Sequence, residues 1–376
     1  MNALAALASH GQSFWLDFIR RSFLEGGEFQ QMIEKDGLSG VTSNPSIFEK
    51  AIAESTDYAE ELASGSCDSE QDAKAMFERL AGRDIRQAAD MLKPVYDRTN
   101  KADGYVSLEV SPLLAHDTEG TIVEARKLWR AVARPNLMIK VPGTPEGLPA
   151  VETLLTEGIN VNITLLFSQK TYEKTAETYL RALETRLRRG EDVSRVASVA
   201  SFFVSRIDTA VDKLLGERLN SAPASERPRL EALLGKAAIA NAKLAYRYFR
   251  QIYAGPRWDA LRAAGAHPQR LLWASTSAKN PAYRDVLYVE ELIGADTVNT
   301  VPPSTAAAFR EHGRLRASLE EDLSGAAQVL KDLEALGIRF DEVTDRLLTE
   351  GVALFAASFR ELLDAIRKTS ARVQTK

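Results

Sequence analysis

Short apolar runs that end in polar residues recur along the chain, and stretches with helical spacing separate most of them. Each run is long enough for a buried strand, and each intervening stretch carries apolar residues at three- and four-residue intervals. The predicted strands cover residues 14–16, 38–44, 105–112, 137–141, 160–168, 195–207, 270–281 and 296–305. Alternating strands and helices indicate parallel βα units, and eight strands are the number that closes a (β/α)8, or TIM, barrel.

An open, doubly wound sheet is the alternative arrangement for the same elements. We find no Gly-x-Gly-x-x-Gly string after a predicted strand, so the dinucleotide site typical of that fold is not indicated. Residues 18–37 have the spacing of one helix. Residues 306–376 read as further helices that pack on the barrel, and we expect residues 1–376 to form a single domain.

Composition narrows the class of protein. The 376 residues carry a net charge of -4 with both signs interspersed, which argues against a nucleic-acid or anionic-membrane surface. The one cysteine, Cys67, lies in the polar stretch SGSCDSEQD, which predicts a surface thiol and excludes an intrachain disulfide. No basic leader or run of 18 apolar residues is evident, so we expect a cytoplasmic protein.

The stretch LMIKVPGTPEGL places a lysine at the carboxyl end of a core strand. Lys140 follows three apolar residues, and Pro142-Gly143 ends the strand just after it. A buried ammonium group must be paired or partly neutral, and a neutral lysine can attack a carbonyl to form a Schiff base. The alternatives are a structural ion pair and a side chain that reaches solvent.

Polar residues lie at the end of every predicted strand, where barrel enzymes hold their catalytic groups. They are Asp17, Thr42, Asn44, Glu109, Ser111, Lys140, Asn162, Thr164, Ser201, Arg206, residues 275–279 and Asn299. Glu109, on the strand before Lys140, is placed to exchange protons with it, directly or through a water held by Thr164, and Asp17 can serve as a second acid or base. Arg206 with Ser275, Ser277 and Lys279 offers donors for a phosphate.

Most of these residues lie in six strings of the sequence: GVTSNPSIF, VSLEVSP, IKVPGTPEG, INVNITLLFS, ASFFVSRID and WASTSAKNP. The strings resemble those of transaldolase, a lysine Schiff-base enzyme family of the pentose phosphate pathway. The longer bacterial and plant-type branch of that family is the most similar. The resemblance implies a (β/α)8 barrel, no metal and no organic cofactor. It also implies transfer of a dihydroxyacetone unit from sedoheptulose 7-phosphate to glyceraldehyde 3-phosphate, giving erythrose 4-phosphate and fructose 6-phosphate. The sequence leaves the oligomeric state open between a monomer and a homodimer.

The resemblance also implies a role for each matching residue. Lys140 is the Schiff-base lysine, Asp17 the base at the C4 hydroxyl, Glu109 the acid and base at the carbinolamine, and Thr164 the holder of the catalytic water. The expected substrate-binding residues are Thr42, Asn44, Asn162, Ser201, Phe203, Arg206, Ser275, Ser277 and Lys279. The chain departs from many members in having Ser-Thr-Ser-Ala-Lys where they have Ser-Phe-Arg, so its second phosphate contact is open between the serines and Lys279.

Two rival functions fit the same pattern less well. A fructose 6-phosphate aldolase would share the lysine but tends to have a glutamine for Glu109 and a tyrosine for Phe203, and it is more compact. A non-catalytic sugar-phosphate sensor would be expected to have lost Lys140 or one of the two carboxylates.

Overall fold

The computed structural model describes residues 2–63 and 67–374 and contains a closed barrel of eight parallel strands. Neighbours in sequence are neighbours in the barrel, and the last strand pairs with the first. The strands are β1 Gln12–Leu16, β2 Leu38–Val41, β3 Tyr105–Glu109, β4 Leu137–Pro142, β5 Val161–Leu166, β6 Ser198–Phe203, β7 Arg270–Ala274 and β8 Thr297–Val301. The predicted (β/α)8 barrel is therefore confirmed.

Helices follow the strands and surround the barrel. They are α1 Ala3–Ala6, α2 Arg21–Glu25, α3 Glu28–Gln31, α4 Pro45–Ala53, α5 Ala59–Ala63, α6 Glu70–Arg98, α7 Thr118–Val132, α8 Gly147–Thr156, α9 Gln169–Arg188, α10 Ser205–Ser221, α11 Arg227–Glu231, α12 Ala237–Ile252, α13 Pro256–Ala263, α14 Leu287–Glu291, α15 Pro303–His312, α16 Leu323–Ala335 and α17 Phe340–Gln374. Shorter 3₁₀ turns cover Leu7–His10, Pro112–Leu114 and Ser318–Glu320. No helix in the described residues is long and apolar enough to cross a membrane.

Inside the barrel, a large side chain of β1 packs against a glycine of β2. Trp15 of β1 is fully buried, and a Cβ atom at Gly40 of β2 would lie 2.3 Å from its ring. The Trp15 indole N–H donates to Asp103 Oδ1 over 2.7 Å, so the one polar atom of the ring is paired. Every residue of β4, β5 and β6 is buried, as expected for strands covered on both faces.

Two local predictions are wrong. Residues 18–37 form two short helices and a π-helix, Met32–Asp36, because Gly27 adopts a left-handed conformation (φ 87°) that ends one helix and starts the next. Cys67 is buried at 6% exposure and packs in the core, although Asp68 and Ser69 beside it are exposed. A thiol behaves as a small apolar group, so polar neighbours in sequence do not decide its burial.

The expected domain of residues 1–376 includes residues 1, 64–66 and 375–376, which lie outside the described part of the chain. The helices after residue 306 pack on the barrel. Gly351 of α17 approaches Leu165 so closely that a Cβ atom there would lie 3.1 Å from the leucine side chain.

Candidate active site

The carboxyl ends of the strands surround a pocket of about 360 Å³. Among the predicted site residues, those that line it are Asp17, Thr42, Asn44, Lys140, Thr164, Ser201, Phe203, Arg206, Ser275, Ser277 and Lys279. Glu109 and Asn162 are buried beside Lys140, on the strands that flank β4. The barrel thus brings together predicted site residues as far apart in sequence as Asp17 and Lys279, which share one cavity.

Lys140 is paired and faces the pocket at the same time. Its Nζ lies 3.2 Å from Glu109 Oε2 and donates to the Ser43 carbonyl over 3.1 Å. The two side chains are 5% and 3% exposed. Burial raises the pKa of Glu109, the positive charge of Lys140 opposes that rise, and the charge of Asp17 adds to it. The pair therefore places an amine beside a carboxyl group whose proton affinity is higher than usual.

Asp17 follows β1 and lines the same pocket in a different environment. It is half-buried, and Thr42 Oγ1 donates to its Oδ1 over 2.7 Å while Thr42 lies 2.7 Å from Thr300 Oγ1. Burial in the pocket raises the pKa of Asp17, and Lys140 is the strongest of the groups that oppose this rise. Two carboxyl groups in different surroundings can divide acid and base roles at neutral pH.

Three polar side chains near the two carboxylates differ in whether their hydrogen-bonding groups already have partners. Asn44 Oδ1 accepts the backbone N–H of Ile47 as the N-cap of α4. Asn162 lies behind the pocket wall, where its amide donates to Ser107 Oγ over 3.0 Å and accepts from Ser201 Oγ over 2.6 Å. Thr164 Oγ1 is buried and has no hydrogen-bond partner among the described residues. A buried hydroxyl with an unused donor and acceptor suits a bound water or a substrate oxygen.

Cationic groups gather at the end of the pocket formed by β6 and β7. Arg206, in the first turn of α10, makes no ion pair within the described residues, and its guanidinium lies 5.4 Å from the Phe203 ring centre. Burial lowers its pKa, and the charge of Asp17 opposes that change. Lys279 Nζ donates to Ser277 Oγ over 2.7 Å. Ser275 is left-handed (φ 56°), and its hydroxyl lies 3.0 Å from Ser205 Oγ.

Besides Glu109 and Asn162, the strand-end residues Ser111 and Asn299 do not line the pocket. Ser111 caps a 3₁₀ turn, where its side chain accepts from the backbone N–H of Leu113. Asn299 is fully buried, but Thr300 lines the pocket, and successive residues of a strand point to opposite faces. Asn299 therefore faces away, and the same alternation applied to β8 would have selected Thr300.

Seven other residues line the pocket and were not predicted from the sequence. They are Ser46, Ile47, Lys50, Ala274, Thr300, Pro302 and Phe355. Lys50 and its neighbours in α4 belong to the helix that Asn44 caps, so the NPSIF string could have indicated them. Phe355 belongs to α17, far from every strand-end motif, and local sequence gives no indication of its place.

Comparisons with known proteins cover almost the whole chain. A sequence model of the family described as "Transaldolase/Fructose-6-phosphate aldolase" matches residues 14–366. The chain is 47% identical over 370 residues to "Transaldolase" of Trichodesmium erythraeum (strain IMS101), covering 98% of this chain and 97% of the relative. It is 48% identical over 366 residues to "Transaldolase" of Thiobacillus denitrificans (strain ATCC 25259 / T1), covering 97% of this chain and 100% of the relative. "Transaldolase 2" of Nostoc punctiforme (strain ATCC 29133 / PCC 73102) is 48% identical over 369 residues, with 97% of each chain covered.

Proposed function

The chain belongs to the transaldolase/fructose-6-phosphate aldolase family, and from this premise we propose that it is a transaldolase acting on sugar phosphates through a Schiff base on Lys140. The donor is sedoheptulose 7-phosphate and the acceptor is glyceraldehyde 3-phosphate. The products are erythrose 4-phosphate and fructose 6-phosphate. The observation that supports this most strongly is Lys140 facing the pocket at 3.2 Å from Glu109, with Asp17 lining the same pocket.

The first step forms the covalent link. The Lys140 amine attacks the C2 carbonyl of the donor, and loss of water from the carbinolamine leaves an iminium ion. This step needs a group that first gives a proton to the departing hydroxyl and later takes one back. Glu109 has that role because it contacts Lys140 and because burial raises its pKa toward neutrality. The Thr164 hydroxyl, which has no hydrogen-bond partner among the described residues, holds the water that relays the proton.

The second step breaks the carbon–carbon bond. Asp17 takes the C4 hydroxyl proton, the C3–C4 bond breaks, and its electron pair moves into the iminium to give an enamine on Lys140. The hydrogen bond from Thr42 and the raised pKa of Asp17 orient and tune this base. Addition of the enamine carbon to the acceptor aldehyde reverses these bond changes and returns the proton through Asp17.

The phosphate of each sugar is bound at the β6 and β7 end of the pocket. Arg206 supplies a guanidinium that no acidic side chain of the described residues neutralises, and Lys279, Ser275 and Ser277 lie beside it. A phosphate here would be several bonds away from the carbon attached to Lys140. We infer that this contact fixes the sugar chain along the pocket, so that C4 meets Asp17.

Borohydride trapping tests the mechanism. Protein incubated with fructose 6-phosphate and sodium borohydride should gain the mass of one reduced dihydroxyacetone unit, and peptide mapping should place it on Lys140. Lys50 and Lys279 also line the pocket and serve as internal controls for selectivity. Lys140→Met should prevent the adduct, whereas Lys50→Ala should retain it. An adduct on Lys279, or none on folded and active protein, would refute the assignment of Lys140.

Assays of the untreated protein distinguish transfer to an acceptor from release of dihydroxyacetone. A transaldolase forms a ketose phosphate with a new chain length when an aldose phosphate is supplied, whereas an aldolase releases free dihydroxyacetone without an acceptor. Glu109 and Phe203 favour transfer, as the sequence comparison indicated. We also propose that the protein acts in the cytoplasm as a monomer or homodimer. Cell fractionation and light scattering during gel filtration test these two points.

A further inference from the structure

One face of α17 fixes the helix across the mouth of the barrel. Gly351 lies against the side chain of Leu165, which sits at an irregularity of β5 with a left-handed backbone (φ 62°). Ser358 Oγ accepts a hydrogen bond from Ser46 Oγ of α4 over 2.8 Å. The Phe359 ring makes an edge contact with Phe77, with ring centres 5.8 Å apart. These positions lie seven and eight residues after Gly351, so they share one face of the helix.

Phe355 lies on that face, between the two anchors. Its side chain is buried at 6% exposure and lines the pocket. The ring centre lies 5.6 Å from Lys140 Nζ and 5.9 Å from Arg206 Cζ. Phe355 is thus placed between the nucleophile and the arginine assigned to phosphate, and the anchors on both sides limit its movement.

We propose that Phe355 shields the enamine carbon of the dihydroxyacetone unit on Lys140 from water, and so favours transfer over release. This inference rests on the proposed function. After the donor is cleaved, the enamine on Lys140 has two fates. It adds to an acceptor aldehyde, or it takes a proton on carbon to become an iminium ion. Water then adds to C2, the C–N bond breaks, and free dihydroxyacetone leaves with the Lys140 amine restored. No oxidant or reductant is needed for either fate.

Both fates end with water adding to C2 of an iminium ion, because the ketose formed by transfer must also be released from Lys140. They differ in what reaches the enamine carbon: release requires a water molecule that gives this carbon a proton after the first product has left, whereas transfer requires the acceptor aldehyde there. An aromatic ring fixed 5.6 Å from Nζ fills space beside the enamine that such a water would otherwise occupy. The acceptor itself enters from the solvent side of the pocket. A transferase therefore benefits from an apolar wall at Phe355 that does not block the acceptor.

The test compares two rates in Phe355→Ala and Phe355→Gln variants. Transfer is measured from fructose 6-phosphate to erythrose 4-phosphate, and release is measured as free dihydroxyacetone formed from fructose 6-phosphate alone. We expect the ratio of release to transfer to rise by about tenfold in both variants, the size of effect that a changed barrier of a single water-dependent step gives. Phe355→Leu keeps an apolar side chain and should stay within about threefold of the wild type.

Leu354→Ala is the matched control, since Leu354 precedes Phe355 in α17 but is 56% exposed. Its ratio should equal that of the wild type. An unchanged ratio in a folded Phe355→Ala or Phe355→Gln protein overturns the proposal, as does a rise of equal size in Leu354→Ala. Borohydride trapping separates this failure from failure of the proposed function. Trapping on Lys140 in the wild type, with an unchanged ratio in the variants, rejects only the role of Phe355, whereas absence of trapping in the wild type rejects the Schiff base itself.

Discussion

Replacing Lys140 with methionine should abolish transfer and also make the stability of the protein depend on pH. Methionine keeps the length and apolar stem of lysine but removes the charge that faces Glu109. At 3.2 Å and an effective dielectric constant of about 20, the two unit charges attract by roughly 5 kcal/mol. Loss of one partner from a buried pair costs about 3–5 kcal/mol, because the remaining charge is left without compensation.

Glu109 can avoid that cost by taking a proton, and this sets the pH dependence. Its pKa is already raised by burial, and removal of Lys140 raises it further. The folded variant then binds a proton that the unfolded chain gives up above its ordinary pKa of 4.5, so the stability of the variant falls as pH rises above that value. This dependence is at most about 1.4 kcal/mol per pH unit, so the loss grows by at most about 3 kcal/mol between pH 6 and pH 8.

Urea unfolding at pH 6 and pH 8 measures the effect as a difference in free energy of unfolding from the wild type. The double variant Lys140→Met with Glu109→Gln should recover most of the loss at pH 8, because a neutral amide needs no proton. Equal losses at the two pH values would refute the reasoning, and so would a double variant no more stable than the single one at pH 8.

Three further predictions concern the phosphate, a second buried carboxyl group and the barrel interior. Arg206→Ala should raise KM for phosphorylated sugars by about 10- to 100-fold, with little change for unphosphorylated glyceraldehyde, because charge-assisted contacts are worth about 1.5–3 kcal/mol; equal losses for both acceptors would argue against a phosphate contact. Burial raises the pKa of Asp208 from 3.8 to about 7, so wild-type stability should fall as pH rises between those values, by at most about 4 kcal/mol, and Asp208→Asn should flatten this dependence in urea titrations at pH 5 and 8. Gly40→Ala should lower the free energy of unfolding by about 1–3 kcal/mol, because the added methyl group overlaps Trp15. Gly82→Ala, in α6 with open space around it, should raise the free energy of unfolding by about 0.5–1 kcal/mol. Thermal melts that rank the two variants in the reverse order would contradict the packing of β1 on β2.

Most of the pocket could be predicted from strand ends because a parallel barrel gathers them at one edge. In the sequence, Lys140, Asp17 and Arg206 each follow an apolar run, and the structure places all three around one cavity. The same rule wrongly included Asn299, because it identifies the end of a strand without deciding which face a residue takes. A one-residue shift along β8 separates Asn299 from Thr300, which does line the pocket.

The sequence alone determined the order of strands and helices, the barrel and the type of residue at each strand end. These follow from local hydrophobic periodicity and from the fixed direction of parallel strands. Only the tertiary structure decided that Lys140 is paired with Glu109 at 3.2 Å, that Cys67 is buried, and that Phe355 of α17 covers the lysine. The contact between Phe355 and Lys140 depends on the position of a helix that begins 200 residues further along the chain. That position results from packing across the whole barrel, through Gly351 on Leu165 and Ser358 on Ser46, and no local pattern records it.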